Sequence, residues 1–386
     1  MLRVLTLSTL FPDASRPTFG PFVERQTLAL AARPGVEVQV VAPLGIPPLG
    51  GFLSRYRPFA ALPPSEDWKG LTVHRPVFRH LPGPGVRFDD AALVRALTPL
   101  LEQIRFDVID AQFFWPDGPA AVALGRRFGV PVSVKGRGAD IHFWGRQPAT
   151  AAKVRAAGQR ADGLLAVSGA LRSNMIALGM PAERIVVHYT GLDRDAFDVR
   201  DRVRAKQALG RAEPLIVTVG ALIPRKGQAF VLDALVELPG VTAAFIGRGE
   251  DATLLRQRAN QLGVASRVRF LGALPAPKVA DWLAAADVMV LPSSSEGLAN
   301  AWVEALASGT PVVTCDVGGA RELIDRPDAG RLVERNGQAI AAAVRGLLAN
   351  PPDRHAVAAA AQRFSWEANG QALEAHLREL VDAYRR

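Results

Sequence analysis

The stretch Ser293-Ser294-Ser295-Glu296-Gly297-Leu298-Ala299-Asn300-Ala301-Trp302-Val303-Glu304 follows an apolar run at 287–291 and is followed by Gly309 and Pro311. The run reads as a buried strand, and what comes after it as a tight loop and then a helix starting near Ala299. Gly297 gives the loop freedom of backbone angle, while Gly309 and Pro311 close the helix ahead of a further strand at 312–315. Such a unit aims a helix N-terminus at the carboxyl edge of a parallel sheet. Open α/β sheets bind ligands at that edge, and free N–H groups there suit an anion such as a diphosphate. Glu296 and Glu304 sharpen the reading: one sits in the loop, the other about one helical turn further in, so they address different parts of one elongated ligand.

The length of 386 residues exceeds one ordinary core and implies two domains of similar size. Cys315 is the only cysteine, so no intrachain disulfide can form, and a reducing compartment fits. The longest uncharged run, 38–54, is broken by Pro43, Pro47, Pro48, Gly45, Gly50 and Gly51, which rules out a membrane-spanning helix there. The first residues read as a strand rather than a secretion signal, and the expected location is the cytoplasm. Residues 1–190 hold 22 Lys and Arg against 14 Asp and Glu, a balance of +8, whereas the remainder holds 24 against 23, a balance of +1. A basic first half points to an anionic neighbour, and without zinc-finger or RNA-recognition signatures an acidic membrane surface is the stronger choice than nucleic acid. An Arg-rich surface from coding bias is the bland alternative, since 40 of the 46 basic residues are Arg.

Taken in order, the chain opens with a strand at 1–8, a polar loop, and a helix begun by Gly20-Pro21-Phe22-Val23-Glu24-Arg25-Gln26. The loop has no G-x-G-x-x-G, which argues against a dinucleotide cofactor. Residues 43–70 form a Pro/Gly-rich insertion with Phe52, Leu53, Arg55, Tyr56, Arg57 and Phe59, either a packed surface loop or a face for lipid headgroups or an acceptor. Strands expected at 71–75, 108–112, 132–135, 164–167 and 185–188 alternate with helices, the pattern of a doubly wound parallel sheet. Two strand ends are polar: Asp110-Ala111-Gln112, and Lys135-Gly136-Arg137-Gly138-Ala139-Asp140-Ile141-His142. Asp140 is either an acceptor-side carboxylate or a helix-start cap. Asp193 and Asp195 read as turn chemistry, and 198–206 as a linker. The second half repeats the alternation, with Arg225-Lys226-Gly227 at one strand-to-helix loop, where two cations can neutralise a diphosphate, and Gly247-Arg248-Gly249 at another. A final helix at about 366–384 carries Leu373, Leu377, Leu380 and Val381 on one face.

Gly20, Arg225-Lys226-Gly227, Gly247-x-Gly249 and the Glu296/Glu304 pair, in that order, resemble the retaining nucleotide-sugar glycosyltransferases of family 4, and the resemblance covers almost the whole chain. It implies an α/β GT-B fold: two Rossmann-like doubly wound domains facing across a cleft, with an acceptor-binding domain at 1–195, a donor-binding domain at 205–366, and a C-terminal helix, 367–386, crossing back onto the first. It implies transfer of a sugar from a nucleoside diphosphate sugar, UDP- or GDP-linked, to an acceptor hydroxyl in polysaccharide, glycolipid or other glycoconjugate synthesis. By resemblance Glu296 contacts the transferred sugar and Glu304 the ribose, while the backbone of Gly297, Leu298, Ala299 and Asn300 binds the diphosphate with Arg225 and Lys226. Gly20, Gly247 and Gly249 let backbone approach the donor. The catalytic set is Glu296, Asp140, Lys226 and Arg225, and the acceptor side is Gln112, Arg137, Asp140 and His142. Gln112 stands where members often have His, and Ala221 where many have Arg. No metal or other cofactor is implied; the partners are the donor, a carbohydrate or lipid-linked acceptor, and an anionic membrane met peripherally. A nucleotide-sugar epimerase of the same fold and a non-catalytic binding module are the competing readings.

Overall fold

The computed structural model describes every residue except Thr18. The chain divides into two compact units, Met1–Gly191 joined by Trp366–Arg386, and Leu192–Ser365. Residues 192–204, which the sequence reading left outside the second domain, thus lie in the second unit. The stretch read as a linker is largely the helix Arg202–Ala208, capped by Asp201 and tied to Asp287 through Lys206 at 2.6 Å.

The first unit holds β1 (Leu2–Leu7), β2 (Val36–Val41), β3 (Leu44–Ile46), β4 (Ser65–Trp68), β5 (Leu71–His74), β6 (Val77–Arg79), β7 (Val108–Ala111), β8 (Val132–Gly136), β9 (Gly163–Ala166) and β10 (Ile185–Val187). Its main sheet runs β10-β9-β8-β7-β1-β2-β5-β4, parallel except for the antiparallel edge strand β4. The insertion 43–70 is therefore built structure rather than loop: β3 pairs with β6, the helix Arg57–Ala60 lies between, and β4 extends the sheet. The helix Ala151–Arg160 was also missed by the apolar pattern, because only Val154, Ala157 and Gly158 of it are buried.

One helix begins where Gly20 takes a left-handed φ of 62° and Pro21 presets the first turn. A Cβ at Gly20 would stand 1.6 Å from the Leu10 carbonyl oxygen, so the position admits only glycine. This helix, Pro21–Ala31, packs against the C-terminal helix Trp366–Arg385, whose Leu373, Leu377 and Val381 join Leu2, Val4, Val23, Leu30 and Val40 in one core. Gly370 lets the two approach, since a Cβ there would meet Ala29 O at 2.7 Å. Burying a Leu is worth about 1.5–3 kcal/mol, so this apolar seam outweighs the half-buried ion pair of Arg33 with Glu374 at its rim, worth about 1 kcal/mol.

The second unit holds β11 (Leu215–Val219), β12 (Thr242–Ile246), β13 (Val268–Gly272), β14 (Val288–Leu291), β15 (Val312–Thr314) and β16 (Gly330–Leu332), all parallel in the order β13-β12-β11-β14-β15-β16. Val288, Met289, Val290 and Leu291 are fully buried, as expected of a strand covered on both faces. The helices Ala252–Gln261 and Gly337–Ala349, which share a core with the sheet, and Arg354–Ala359, which packs on the helix Asn300–Ala307, were not foreseen. In this sheet the order reverses between β11 and β14, and in the first unit between β1 and β7. Ligands of open α/β sheets bind at the carboxyl ends of strands at such a reversal.

Candidate functional site

Arg225 and Lys226 follow β11, and Glu296 follows β14, so the topology brings all three to the reversal point of the second sheet. Gly227, at φ 76°, ends the first loop and starts the helix Gln228–Val236; a Cβ there would lie 2.4 Å from Pro292 O. The loops can touch because residue 227 has no side chain. Ser294 N donates to Arg225 O at 2.8 Å, Arg225 donates to Ser295 O at 2.5 Å, and Lys226 Nζ donates to Glu296 Oε1 at 2.5 Å. Arg225 also stands 3.3 Å from the same Glu296 oxygen. One carboxylate thus carries two cations. The helix Asn300–Ala307 starts beyond Ala299, as the sequence indicates, and Glu304 lies on a half-buried position one turn in, beside buried Trp302, Val303, Ala305 and Leu306.

Other backbone supports this group. A Cβ at Gly318, which has φ 52°, would meet Glu296 O at 2.2 Å, and Gly319 N donates to Gly297 O at 2.8 Å, so the Gly318-Gly319 turn holds the Glu296 loop from behind. Gly247 and Gly249 run against the first loop, where Cβ atoms would stand 1.9 Å from Gly220 O and 2.1 Å from Leu222 O. Their lack of side chains serves backbone packing: Gly220 N donates to Ile246 O and Leu222 N to Arg248 O. Arg335 is a residue that sequence reasoning missed. Its Nε donates to Pro292 O at 2.8 Å and its terminal nitrogen to Pro224 O at 2.6 Å, clamping both loops. Its partners lie 43 and 111 residues away, and no local pattern marks it.

The carboxyl edge of the first sheet gathers different chemistry. Gln112, fully buried, accepts at its side-chain oxygen from Gln26 Nε2 at 2.8 Å and from the Arg137 guanidinium, and its amide donates to Asp110. Arg137 Nε donates to Gln112 O at 2.8 Å, and the guanidinium lies 4.7 Å above the Phe22 ring. Lys135, also fully buried, donates to Gln26 Oε1 at 2.7 Å and to His188 Nδ1 at 2.5 Å. His188 Nε2 faces Asn369 O at 2.9 Å, so Nε2 carries the proton and Nδ1 accepts from the lysine. Lys135, Gln26 and His188 were not singled out as site residues, although a lysine inside an apolar strand is a visible signal. Burial drives the pKa values here: it raises Asp110 to about 6, lowers Lys135 well below the ordinary lysine, and lowers Arg137 to about 10.

Asp140 is fully buried and spends its carboxylate on backbone: Arg137 N at 3.0 Å, Gly138 N at 2.8 Å, Ile141 N at 3.1 Å and Phe114 N at 3.3 Å. The carboxylate is a stitch that holds the loop carrying Arg137, while the N-cap position of the short helix Ala139–His142 is Gly138. His142 closes the short helix Ala139–His142 and is half-buried. Asp193 makes the turn expected of it, accepting from Ala196 N at 3.3 Å.

Two parallel-sheet Rossmann-like units, one with paired cations and an acidic loop at its reversal point, are those of a nucleotide-sugar-dependent glycosyltransferase of the GT-B fold. Residues 19–191 match the glycosyl transferase 4-like domain and residues 199–364 the glycosyl transferases group 1 family. The chain is 28% identical to the putative teichuronic acid biosynthesis glycosyltransferase TuaC of Bacillus subtilis, over 89% of this chain and 88% of that one. It is 31% identical to the GDP-mannose-dependent alpha-(1-6)-phosphatidylinositol monomannoside mannosyltransferase of Mycolicibacterium smegmatis, over 72% and 77% of the two chains. Among solved structures, the sucrose-phosphate synthase of Thermosynechococcus elongatus superposes with a TM-score of 0.84 at 21% identity, covering 99% of this chain and 100% of that one, which shows a common fold. The chain belongs to glycosyltransferase family 4.

Proposed function

We propose that the chain is a retaining transferase that moves a sugar from a nucleoside diphosphate to a hydroxyl of a carbohydrate or lipid-linked acceptor. The second unit binds the donor and the first unit the acceptor. The observation that carries this reading is the single group formed by Arg225, Lys226 and Glu296 where the second sheet reverses. Negative charge builds on the departing diphosphate, so Arg225, Lys226 and the backbone N–H groups of 297–300 stabilise the transition state more than the bound donor. Glu296 then turns from the cations to the sugar hydroxyls, and Glu304 takes the ribose. Gly247 and Gly249 shape the backbone at the donor side. The departing phosphate oxygen takes the acceptor proton. On the acceptor side, Gln112 and Arg137 present hydrogen bonds, with His142 at the helix end and Asp140 holding the loop.

Among the described residues no helix is long and apolar enough to cross a membrane. Contact with an anionic membrane is instead peripheral: Leu49, Phe52 and Leu53 stand exposed beside Arg55 and Arg57, an apolar and basic face of the kind that settles on lipid headgroups, at the inner side of the membrane. Product analysis with UDP-, GDP- and ADP-sugars and a glycolipid extract tests the reading. A glycoside with retained anomeric configuration supports it; an epimerised sugar, an inverted glycoside or an unconsumed donor overturns it. Glu304→Ala is expected to weaken nucleoside diphosphate binding by about tenfold or more, the scale of a lost charge-assisted contact, and unchanged affinity by calorimetry removes its ribose role.

A further inference from the structure

At the carboxyl edge of the second sheet, Arg225 and Lys226 share Glu296, and Arg335 donates to Pro292 and Pro224. Arg248, at the end of β12, is different: its side chain is exposed and has no hydrogen-bond or ion-pair partner among the described residues. Its backbone is nonetheless fixed. Leu222 N donates to Arg248 O at 3.0 Å, and Cβ atoms at Gly247 and Gly249 would strike Gly220 O and Leu222 O, so the chain on both sides of Arg248 is pressed onto the loop that leads to the cation pair. The side chain runs the other way, toward β13, where a Cβ at Gly272 would lie 3.9 Å from Arg248 Nε.

The sheet order sets what can lie under that side chain. The β15 side of the cation pair is closed by the Gly318-Gly319 turn packed on Glu296 and Gly297, so a nucleotide anchored there by its diphosphate extends toward β12 and β13. From β11 to β13 is two strand spacings, about 10 Å, a span that a ribose and a base can fill. The helix Ala276–Ala285 begins just past β13 and packs beside the helix Asn300–Ala307, which carries Glu304. A ribose held by Glu304 therefore puts its base against the loop 272–275. That loop is Gly272-Ala273-Leu274-Pro275, an aliphatic surface for the face of a ring, with no polar side chain to read its edge. Reading the edge falls to Arg248.

We infer that Arg248 selects the base of the donor and that this base is guanine, so that the sugar arrives on GDP. The inference rests on the transferase reading above and narrows its donor to one nucleotide. A guanidinium presents paired N–H donors in a fixed fork, and guanine offers two adjacent acceptors, O6 and N7, on one edge. Adenine sets an amino donor beside its N7, which meets the fork with like polarity, and uracil brings O4 alone. No ion pair has to break before Arg248 turns to the base, because the free chain gives it none.

The test is calorimetry on the full chain with GDP, IDP, UDP and ADP. IDP lacks the amino group of guanine but keeps O6 and N7, so GDP and IDP are expected to bind alike and about tenfold or more tighter than UDP and ADP, the scale of one bidentate pair. Arg248→Met, at an exposed position, is expected to bring GDP and IDP down to the level of UDP, with UDP binding and the melting temperature unchanged. Arg248→Lys, which keeps the charge but loses the fork, is expected to restore only part of the difference. Four nucleotides bound equally tightly by the wild-type chain overturn this proposal and leave the transferase reading standing. An Arg248→Met loss shared by all four does the same, because it puts the guanidinium on the phosphates or the ribose. GDP much tighter than IDP also overturns it, since the amino group would then be what is read. A chain that binds none of the four loses the transferase reading, and this inference with it.

Discussion

At the reversal point of the second sheet, Lys226 and Glu296 meet with 13% and 9% of their side chains exposed, and Arg225 reaches the same oxygen from solvent. At that of the first sheet, Lys135 and Asp110 are 0% and 1% exposed and reach their neighbours through Gln26, Gln112 and Arg137. The difference decides what each edge can do. Charges that keep one side to water can be handed to a ligand's phosphate, because water has already been mostly but not wholly removed. Charges sealed in the interior are pushed toward neutrality by desolvation, so that edge orients hydrogen bonds instead of supplying a field. Asp110, Asp117, Lys135, His188 and His376, all pushed toward neutrality, belong to the first unit; in the second, burial lowers Arg354 to about 10 at a place apart from the Lys226 and Glu296 loops.

The sharpest way to break this contrast is Glu296→Ala. Its carboxylate is the one group that both cations share, and on the proposed reading it holds the sugar for reaction. kcat is expected to fall by roughly 10²–10³, the scale of losing one preorganised transition-state contact, with the melting temperature nearly unchanged. Wild-type turnover would end the assignment. Lys226→Met comes next. It deletes a fixed charge but leaves Arg225 beside the diphosphate, so a loss of about 10–100-fold in kcat/KM is expected, matching about 1.5–3 kcal/mol for a hydrogen bond to a charged group. A larger loss in Lys135→Met than in Lys226→Met would reverse the roles given to the two edges.

The second edge was far more legible in the sequence than the first. Arg225, Lys226, Gly227 and Glu296 stand in short strand-to-helix loops, where turn residues and charges lie next to the apolar runs that place them. The start of the helix at Asn300–Ala307 followed from the same local signals. In the first unit Asp140 and Arg137 were visible, but that Asp140 faces four backbone N–H groups depends on how the 136–141 loop folds back to Phe114, a contact 26 residues away. His188 and Asn369 are 181 residues apart, and Arg335 clamps loops that no local pattern joins to it. The insertion hid β3, β4 and β6 because strands of three or four residues leave too little alternation to read. The helices Ala252–Gln261 and Gly337–Ala349 lie on a sheet surface whose partner residues are spread over the unit, and their small residues blur the apolar stripe.

The sealed edge also predicts how stability responds to pH. His376 is held at about 4, chiefly by burial and also by the Lys135 charge, against an ordinary histidine near about 6.5. Its folded value is depressed, so the stability it contributes is present above pH about 6.5 and is lost as the pH falls toward 4, by up to about 3 kcal/mol. Asp117 runs the other way: burial first, and then the nearby Asp140 charge, raise it to about 7, with the Thr9 backbone bond opposing. A raised carboxyl contributes stability below the unfolded value, near about 4, that is lost as the pH rises through 7. Urea unfolding from pH 4 to 8 is expected to show His376→Gln losing less stability on acidification than wild type, and Asp117→Asn losing less between pH 4 and 7. Parallel curves for wild type and both variants would mean these groups are not sealed.

The smallest expected effect belongs to Arg335→Lys and tests how the open edge is held together. Arginine donates from two nitrogens in a fixed fork, one to Pro292 O and the other to Pro224 O, while its plane lies 4.9 Å from the Phe230 ring centre. Lysine keeps the charge but reaches one loop at a time, so the loops carrying Lys226 and Glu296 lose a brace without losing a catalytic group. Donor KM is expected to rise by about threefold to tenfold, in line with about 1 kcal/mol for one hydrogen bond, with kcat changed less than twofold. A fall in kcat comparable to that of Lys226→Met would show that the brace takes part in the transition state, and the field at this edge would then come from three cations instead of two.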